Sequence, residues 1–114
     1  MSRKSQKVPR PTKGSEFELH FASAQAAKGW SDLCATTRNA AAEAWDFLTR
    51  SPRNQTPLNT PMRGELGTVV RDGKTHVRWQ LKPTAKGDAR IWYYVLDQRV
   101  YLEQVHTKHP NQTK

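Results

Sequence analysis

Cysteine, long apolar runs and acidic residues are all scarce in this sequence. Cys34 is the single cysteine among 114 residues, so no disulfide can form within the chain. No stretch approaches the roughly 20 apolar residues of a membrane-spanning helix, and the basic N-terminus lacks the apolar core of a signal peptide. We therefore expect a cytoplasmic protein from a reducing compartment, with no membrane among its partners.

Basic residues outnumber acidic ones by 19 to 10, and the excess is unevenly distributed. Five Lys or Arg residues precede the first acid, Glu16. From Lys74 to the C-terminus there are eight Lys or Arg and three acids, so the middle of the chain is about neutral. Positive fields of this kind attract nucleic acid or other anionic partners.

The length is that of one domain, and neither repeats nor a second domain are present. Residues 1–15 hold Pro9, Pro11, Gly14 and most of the early positive charge, with almost nothing to bury. They predict a mobile basic arm. Residues 16–114 are expected to form the single folded domain.

The first half of the domain predicts one strand and two helices. Residues 16–21 alternate between polar and apolar, which is typical of a half-buried strand. Ser23 can cap a helix, and the apolar period from 24 to 48 is helical. The β-branched Thr pair around Thr37 predicts a break into two antiparallel helices. Prolines argue against regular structure over 51–62.

The second half predicts strands joined by tight turns. A strand over 66–71 leads into Asp72-Gly73, the strongest hairpin turn in the chain. Residues 77–82 alternate, 89–96 are apolar on both faces like a central strand, and 100–107 follow. The expected fold is α+β, with a helical hairpin packed on one face of a twisted antiparallel β-sheet.

Polar positions on these strands are spaced by two, which places each set on one face. The sets are Arg78, Gln80 and Lys82; Arg90, Trp92 and Tyr94; and Val100, Leu102, Gln104, His106 and Lys108, with Tyr101, Glu103, Val105, Thr107 and His109 on the opposite face of that last strand. Cleavage of RNA at a phosphodiester needs a base, cations and an acid, and His, Lys and Arg supply all three. A merely solvated cationic face is the alternative. No residues have metal-ligand spacing, so we expect neither a metal nor a cofactor.

The order of elements, with the run ARIWYYVLDQRVYLEQVHTKHPNQT, resembles the RelE/ParE superfamily of bacterial toxins. Those toxins show a strand of small-Arg-hydrophobic-hydrophobic-Tyr pattern, an acidic turn, an apolar strand and a short basic or His-containing tail. The matching elements here are residues 89–93, Asp97, residues 100–105 and residues 106–109.

The resemblance implies candidate site residues. Arg90 matches the Arg that holds the scissile phosphate in the ribosome-dependent members, and Arg78 matches a basic position on the preceding strand. The C-terminal base or acid falls within His106 to His109. The expected catalytic residues are therefore Arg90, His106 and His109, and the expected RNA-binding residues are Arg78, Lys82, Lys108 and Tyr94.

Two features depart from the family pattern. No Glu matches the general base that some members place before the hairpin, because Thr60 and Pro61 stand there. The arm before Ser15 is also longer than the family usually shows. The identity of the base therefore stays open.

The resemblance implies the toxin of a type II toxin–antitoxin system, an endoribonuclease that cleaves mRNA on the ribosome and inhibits translation. Its implied partners are a cognate antitoxin, the ribosome and mRNA, and operator DNA could be contacted through the antitoxin complex. The alternatives are a gyrase inhibitor of the same superfamily without nuclease activity, and a non-catalytic RNA-binding module.

Overall fold

The computed structural model describes residues 8–108, and the predicted order of strand, two helices and C-terminal strands is confirmed. The elements are β1 (Glu18–Phe21), α1 (Ala24–Thr36), α2 (Arg38–Arg50), β2 (Asn59–Pro61), a 3-10 helix (Gly64–Gly67), β3 (Thr68–Arg71), β4 (Lys74–Val77), β5 (Trp79–Leu81), β6 (Arg90–Leu96) and β7 (Arg99–His106). None of the helices in this part of the chain is both long and apolar enough to cross a membrane.

Five strands form the main sheet in the order β1-β7-β6-β5-β2, and β3 pairs with β4 in a separate hairpin. β6 is the central strand, as predicted. β1 runs parallel to β7, whereas the other pairs are antiparallel. The sheet is therefore mixed, which corrects the expectation of a fully antiparallel sheet. Alternation in a strand predicts which face is buried, but it carries no information on strand direction.

Two helices cover one face of the sheet. Ser23 caps α1 by accepting a hydrogen bond from the Ala26 amide, and Thr37 separates α1 from α2 where the break was predicted. The helices and strands share one apolar core, formed by Ala26, Leu33, Ala41, Ala44, Leu48, Leu81, Ile91, Tyr93, Val95, Val100, Leu102 and Val105.

The proline-rich segment contains one short strand, β2, where no regular structure was expected. Its Asn59 is fully buried, and the Tyr93 hydroxyl lies 2.7 Å from both Asn59 Oδ1 and the Pro52 carbonyl oxygen. Burial raises the pKa of Tyr93, so the hydroxyl keeps the proton that it donates. These polar contacts fix the segment to the central strand despite its prolines.

β7 contains a β-bulge. Trp92 of β6 pairs with Gln104, but the next residue, Tyr93, pairs with Leu102, so Glu103 is an extra residue in β7. The extra residue shifts every later side chain of the strand to the other face.

The bulge corrects the predicted faces of the last strand. Val105 is fully buried in the core beside Leu102, and Gln104 and His106 lie on the face away from the helices. The prediction that Gln104 and His106 share a face with Leu102 is therefore wrong.

The N-cap residue of α1 and one side chain of its first turn hold the bulge. β1 ends at Phe21, so no strand formed by residues 8–108 pairs with the following backbone of β7 on that side. Ser23 Oγ donates to the Glu103 carbonyl over 2.6 Å. Gln25 Nε2 donates to the Val105 carbonyl over 2.8 Å, and the Val105 amide donates to Gln25 Oε1 over 3.0 Å. These bonds satisfy backbone groups that a strand would otherwise pair.

The run predicted as one strand over residues 77–82 forms two strands in different sheets. β4 ends at Val77 in the hairpin, and β5 begins at Trp79 in the main sheet. Arg78 lies between them, and its amide donates to the Gly67 carbonyl over 3.0 Å. Alternation continues across this junction, so the sequence pattern does not reveal it.

Gly29 of α1 tests the close packing of this helix on β7. A β-carbon at Gly29 would overlap the Val105 carbonyl oxygen. In an isolated helix, Gly→Ala would stabilise by about 1 kcal/mol. Here we expect Gly29→Ala to lower the free energy of unfolding by about 1–3 kcal/mol through overpacking, as measured by urea denaturation. Gly14→Ala, whose added carbon meets nothing within 4 Å, is the control. A stability equal to or above wild type for Gly29→Ala would contradict this packing.

Candidate nucleic-acid interface

The sheet face opposite the helices, hereafter the outer face, carries most of the candidate residues. Trp92 and Tyr94 of β6 lie on it opposite Gln104 and Tyr101 of β7. The β3–β4 hairpin packs over part of this face, where the ring of His76 stacks on Tyr94. The outer face is thus a partly covered surface rather than a deep cleft.

A buried carboxylate and two arginines form its centre, hereafter the Glu103 cluster. Glu103, turned outward by the bulge, is only 7% exposed. Its Oε1 accepts from Arg78 Nε over 2.8 Å, and its Oε2 accepts from Arg71 Nη2 over 3.0 Å. The two guanidinium groups lie over aromatic rings, Arg78 over Trp92 at 5.9 Å and Arg71 over Tyr94 at 5.8 Å. The cluster carries a net charge of +1 and packs on the rings of Trp92 and Tyr94.

His106 lies beside the ring of Trp92. Its ring packs edge-on against Trp92 at 6.4 Å, and its Nε2 lies 2.8 Å from Gln104 Oε1. Trp92 itself donates through Nε1 to Gln80 Oε1 over 2.9 Å, which fixes the indole. Burial lowers the pKa of His106, so its neutral form predominates at pH 7 and can accept a proton.

Arg90 lies beside His106 but is covered. Their Cα atoms are direct partners between β6 and β7, and Arg90 is 7% exposed. Its Nη1 donates to the carbonyl oxygens of Gly87 at 3.0 Å and Ala89 at 2.8 Å, while its buried Nε has no partner among residues 8–108. The loop before β6 therefore holds the guanidinium, and its role as a phosphate clamp stays a prediction.

The other candidate residues differ in their distance from the Glu103 cluster. Tyr94 lies on the outer face beneath Arg71, and Lys108 is exposed just beyond β7. Lys82 follows β5 and lines a groove beside Phe47 of α2, away from the Glu103 cluster. His109 lies outside the described residues.

Sequence reasoning missed Glu103 and Arg71. Glu103 escaped because period two assigned it to the face opposite His106, and a single-residue bulge leaves no mark in the pattern. Arg71 directly precedes the Asp72-Gly73 turn, so it was visible as a cation at the hairpin end. Its approach to β7 depends on how the hairpin packs. Within the described part of the chain, no three His, Cys, Asp or Glu side chains lie close enough to hold a metal ion.

Comparisons with known protein-family models and with curated proteins find no match. Solved structures do match. The YoeB dimer from Staphylococcus aureus gives a TM-score of 0.57 at 13% identity, covering 79% of this chain and 94% of that one. The YoeB/ParE toxin from Agrobacterium tumefaciens gives 0.56 at 16% identity, covering 82% and 100%. The heterotetrameric YoeB-YefM toxin-antitoxin complex from Staphylococcus aureus gives 0.55 at 14% identity, covering 79% and 94%.

These matches establish the fold of the chain. Two helices packed on a mixed sheet form an α+β fold like that of these YoeB and YoeB/ParE structures, so the resemblance stated from the sequence is confirmed for the fold. At identities of 13–16%, the likeness is one of fold alone.

The Glu103 cluster makes a testable contribution to stability. Glu103→Ala leaves two guanidinium groups facing each other without a carboxylate. We expect the free energy of unfolding to fall by about 1–3 kcal/mol, less than the roughly 3–5 kcal/mol of a fully buried pair, because Arg71 is 47% exposed. Asp32→Ala, which removes the exposed Lys28–Asp32 pair, is the control and should change it by less than about 0.5 kcal/mol. Equal effects of the two substitutions would contradict a coupled cluster.

Proposed function

We propose that this protein is the toxin of a type II toxin–antitoxin system and acts as a metal-independent endoribonuclease on mRNA at the ribosome. One observation carries the proposal: the guanidinium of Arg78 and the neutral imidazole of His106 border the same indole, that of Trp92, and Glu103 bonds both Arg78 and the neighbouring Arg71. Its fold supports the toxin role, because the solved structures that it matches are toxins.

The proposed chemistry uses the 2′-hydroxyl of the RNA itself. Neutral His106 accepts the 2′-hydroxyl proton, and the 2′-oxygen attacks phosphorus. Arg78 and Arg71, oriented by Glu103, stabilise the charge that develops on the phosphate oxygens. The 5′-oxygen leaves with a proton, for which His109 is the candidate donor. The products are a 2′,3′-cyclic phosphate and a 5′-hydroxyl.

An antitoxin is the expected protein partner. A matched structure is a complex of the toxin YoeB with the antitoxin YefM. The net charge of +9 on this chain favours an acidic antitoxin. Operator DNA is then a further candidate, contacted through the toxin–antitoxin complex.

Gyrase inhibition without nuclease activity is the second candidate. It is favoured by the match to a YoeB/ParE toxin and by the covered guanidinium of Arg90. Such an inhibitor would need no proton carrier, so His106 and its lowered pKa favour the nuclease.

Expression without the antitoxin distinguishes these two functions. We expect growth to stop because translation stops, so pulse labelling with an amino acid should fall within minutes while thymidine incorporation continues. Expression of the His106→Ala protein at the same level is the control. An early fall in DNA synthesis with protein synthesis intact would instead support the gyrase inhibitor.

The pH dependence of cleavage tests the role of His106. A base must be deprotonated, and burial lowers the pKa of His106 from 6.5, so we assign to His106 the fall in cleavage as the pH drops below 6.5. A fall at higher pH belongs to the proton donor, for which His109 is the candidate. His106→Ala should lose about 10²–10⁴ of the rate, measured by primer extension on ribosome-bound message. Lys28→Ala, on an exposed part of α1, should cleave like wild type. A fall at low pH that persists unchanged in His106→Ala would contradict the role of His106 as the base.

A further inference from the structure

Four aromatic rings form a column across the outer face. They belong to His20 of β1, Tyr101 of β7, Tyr94 of β6 and His76 of β4. Successive ring centroids lie 5.5, 5.1 and 5.2 Å apart, with interplanar angles of 29°, 17° and 22°. These spacings are close to the roughly 4.8 Å between neighbouring strands. The first three rings therefore stand on the neighbouring strands β1, β7 and β6, and His76 continues the column from the β3–β4 hairpin that packs over this face.

The column is open at its His20 end. Tyr94, inside the column, is 5% exposed, because Tyr101 and His76 stack on its two sides and Arg71 lies over it. The His20 side chain is 41% exposed. One surface of its imidazole stacks on Tyr101, and β1 is an edge strand of the sheet formed by the described residues. Among residues 8–108, no strand lies beside the other surface of the imidazole.

The charges around His20 indicate what this surface can bind. His20 Nε2 lies 3.1 Å from Glu18 Oε1, and Arg99 Nε lies 3.9 Å from the same oxygen. The adjoining groove contains Lys13 and Arg99 but also Glu16, Glu18 and Asp97. This mixed set is unfavourable for a phosphate. A nucleobase suits it better, because a base is neutral, has a stacking surface and carries both donors and acceptors on its edge.

We propose that the exposed surface of His20 stacks a nucleobase of single-stranded RNA and so extends the column by one ring. The proposal rests on the proposed function, since it adds a base contact to the phosphate contacts of the Glu103 cluster on the same face. The column joins the two regions, because Arg71 of the cluster lies over Tyr94. Stacking of this kind tolerates any base and adds affinity at each ring.

Fluorescence of 2-aminopurine tests the stacking directly. The probe is a short single-stranded RNA that carries 2-aminopurine and 2′-O-methyl groups, which prevent cleavage during the measurement. The full-length protein should quench the fluorophore. We expect His20→Ala to weaken binding roughly 5- to 150-fold and to relieve the quenching, because one base–aromatic stack is lost. His20→Phe, which keeps a ring, should restore both.

Phe21→Ala is the matched control. Phe21 lies on the same strand and is 50% exposed, but it pairs with the core residue Leu102 and lies on the other face of the sheet. It should bind and quench like wild type. A second control is an oligonucleotide with abasic sites, which wild type and His20→Ala should bind equally.

Two outcomes would overturn the proposal. One is wild-type affinity and quenching by folded His20→Ala protein, and the other is an equal loss of affinity for the abasic oligonucleotide. If His20→Ala does not fold, the same measurements are made on His20→Leu, because Leu keeps apolar bulk without a π face. Failure of the nuclease function looks different: the wild-type protein would still quench 2-aminopurine but would leave ribosome-bound message intact.

Discussion

The one-residue bulge at Glu103 determines what both faces of the sheet present. It directs Val105 into the core and leaves His106 and Glu103 on the outer face. A bulge leaves backbone groups unpaired, and burying such groups costs free energy unless they find partners. Ser23 and Gln25 supply those partners from the N-cap and the first turn of α1. The cap of a helix on one face thereby positions the candidate site on the other.

The Glu103 cluster balances attraction against desolvation. A buried carboxylate is costly, and it is tolerated here because two guanidinium groups bond it. Glu103 fixes the Nε edge of Arg78, and the face of that guanidinium packs on Trp92. A pre-oriented arginine loses little conformational entropy when a phosphate binds. The ion pair that stabilises the fold is thus also the feature that prepares the surface for an anion.

Local patterns predicted local structure well. The Ser23 cap, the break at Thr37 and the Asp72-Gly73 turn each depend on a few neighbouring residues, so the sequence reveals them. The parallel pairing of β1, the division of residues 77–82 between two sheets and the bulge in β7 depend on tertiary packing. Of the candidate residues, the structure unites Arg78, Tyr94 and His106 and separates Lys82. The position of Glu103 on the outer face could be identified only when the strand register was known.

The chemistry of the RNA ends after cleavage tests the central claim most directly. Ribosome-bound message would be incubated with the purified protein, and both new ends would be identified by mass spectrometry. Cleavage through the 2′-hydroxyl, with His106 as base and Arg78 on the phosphate, predicts a 2′,3′-cyclic phosphate and a 5′-hydroxyl. Fragments with a 5′-phosphate would contradict this chemistry. If the protein blocks translation or gyrase but leaves the message intact, the proposal of nuclease activity is contradicted.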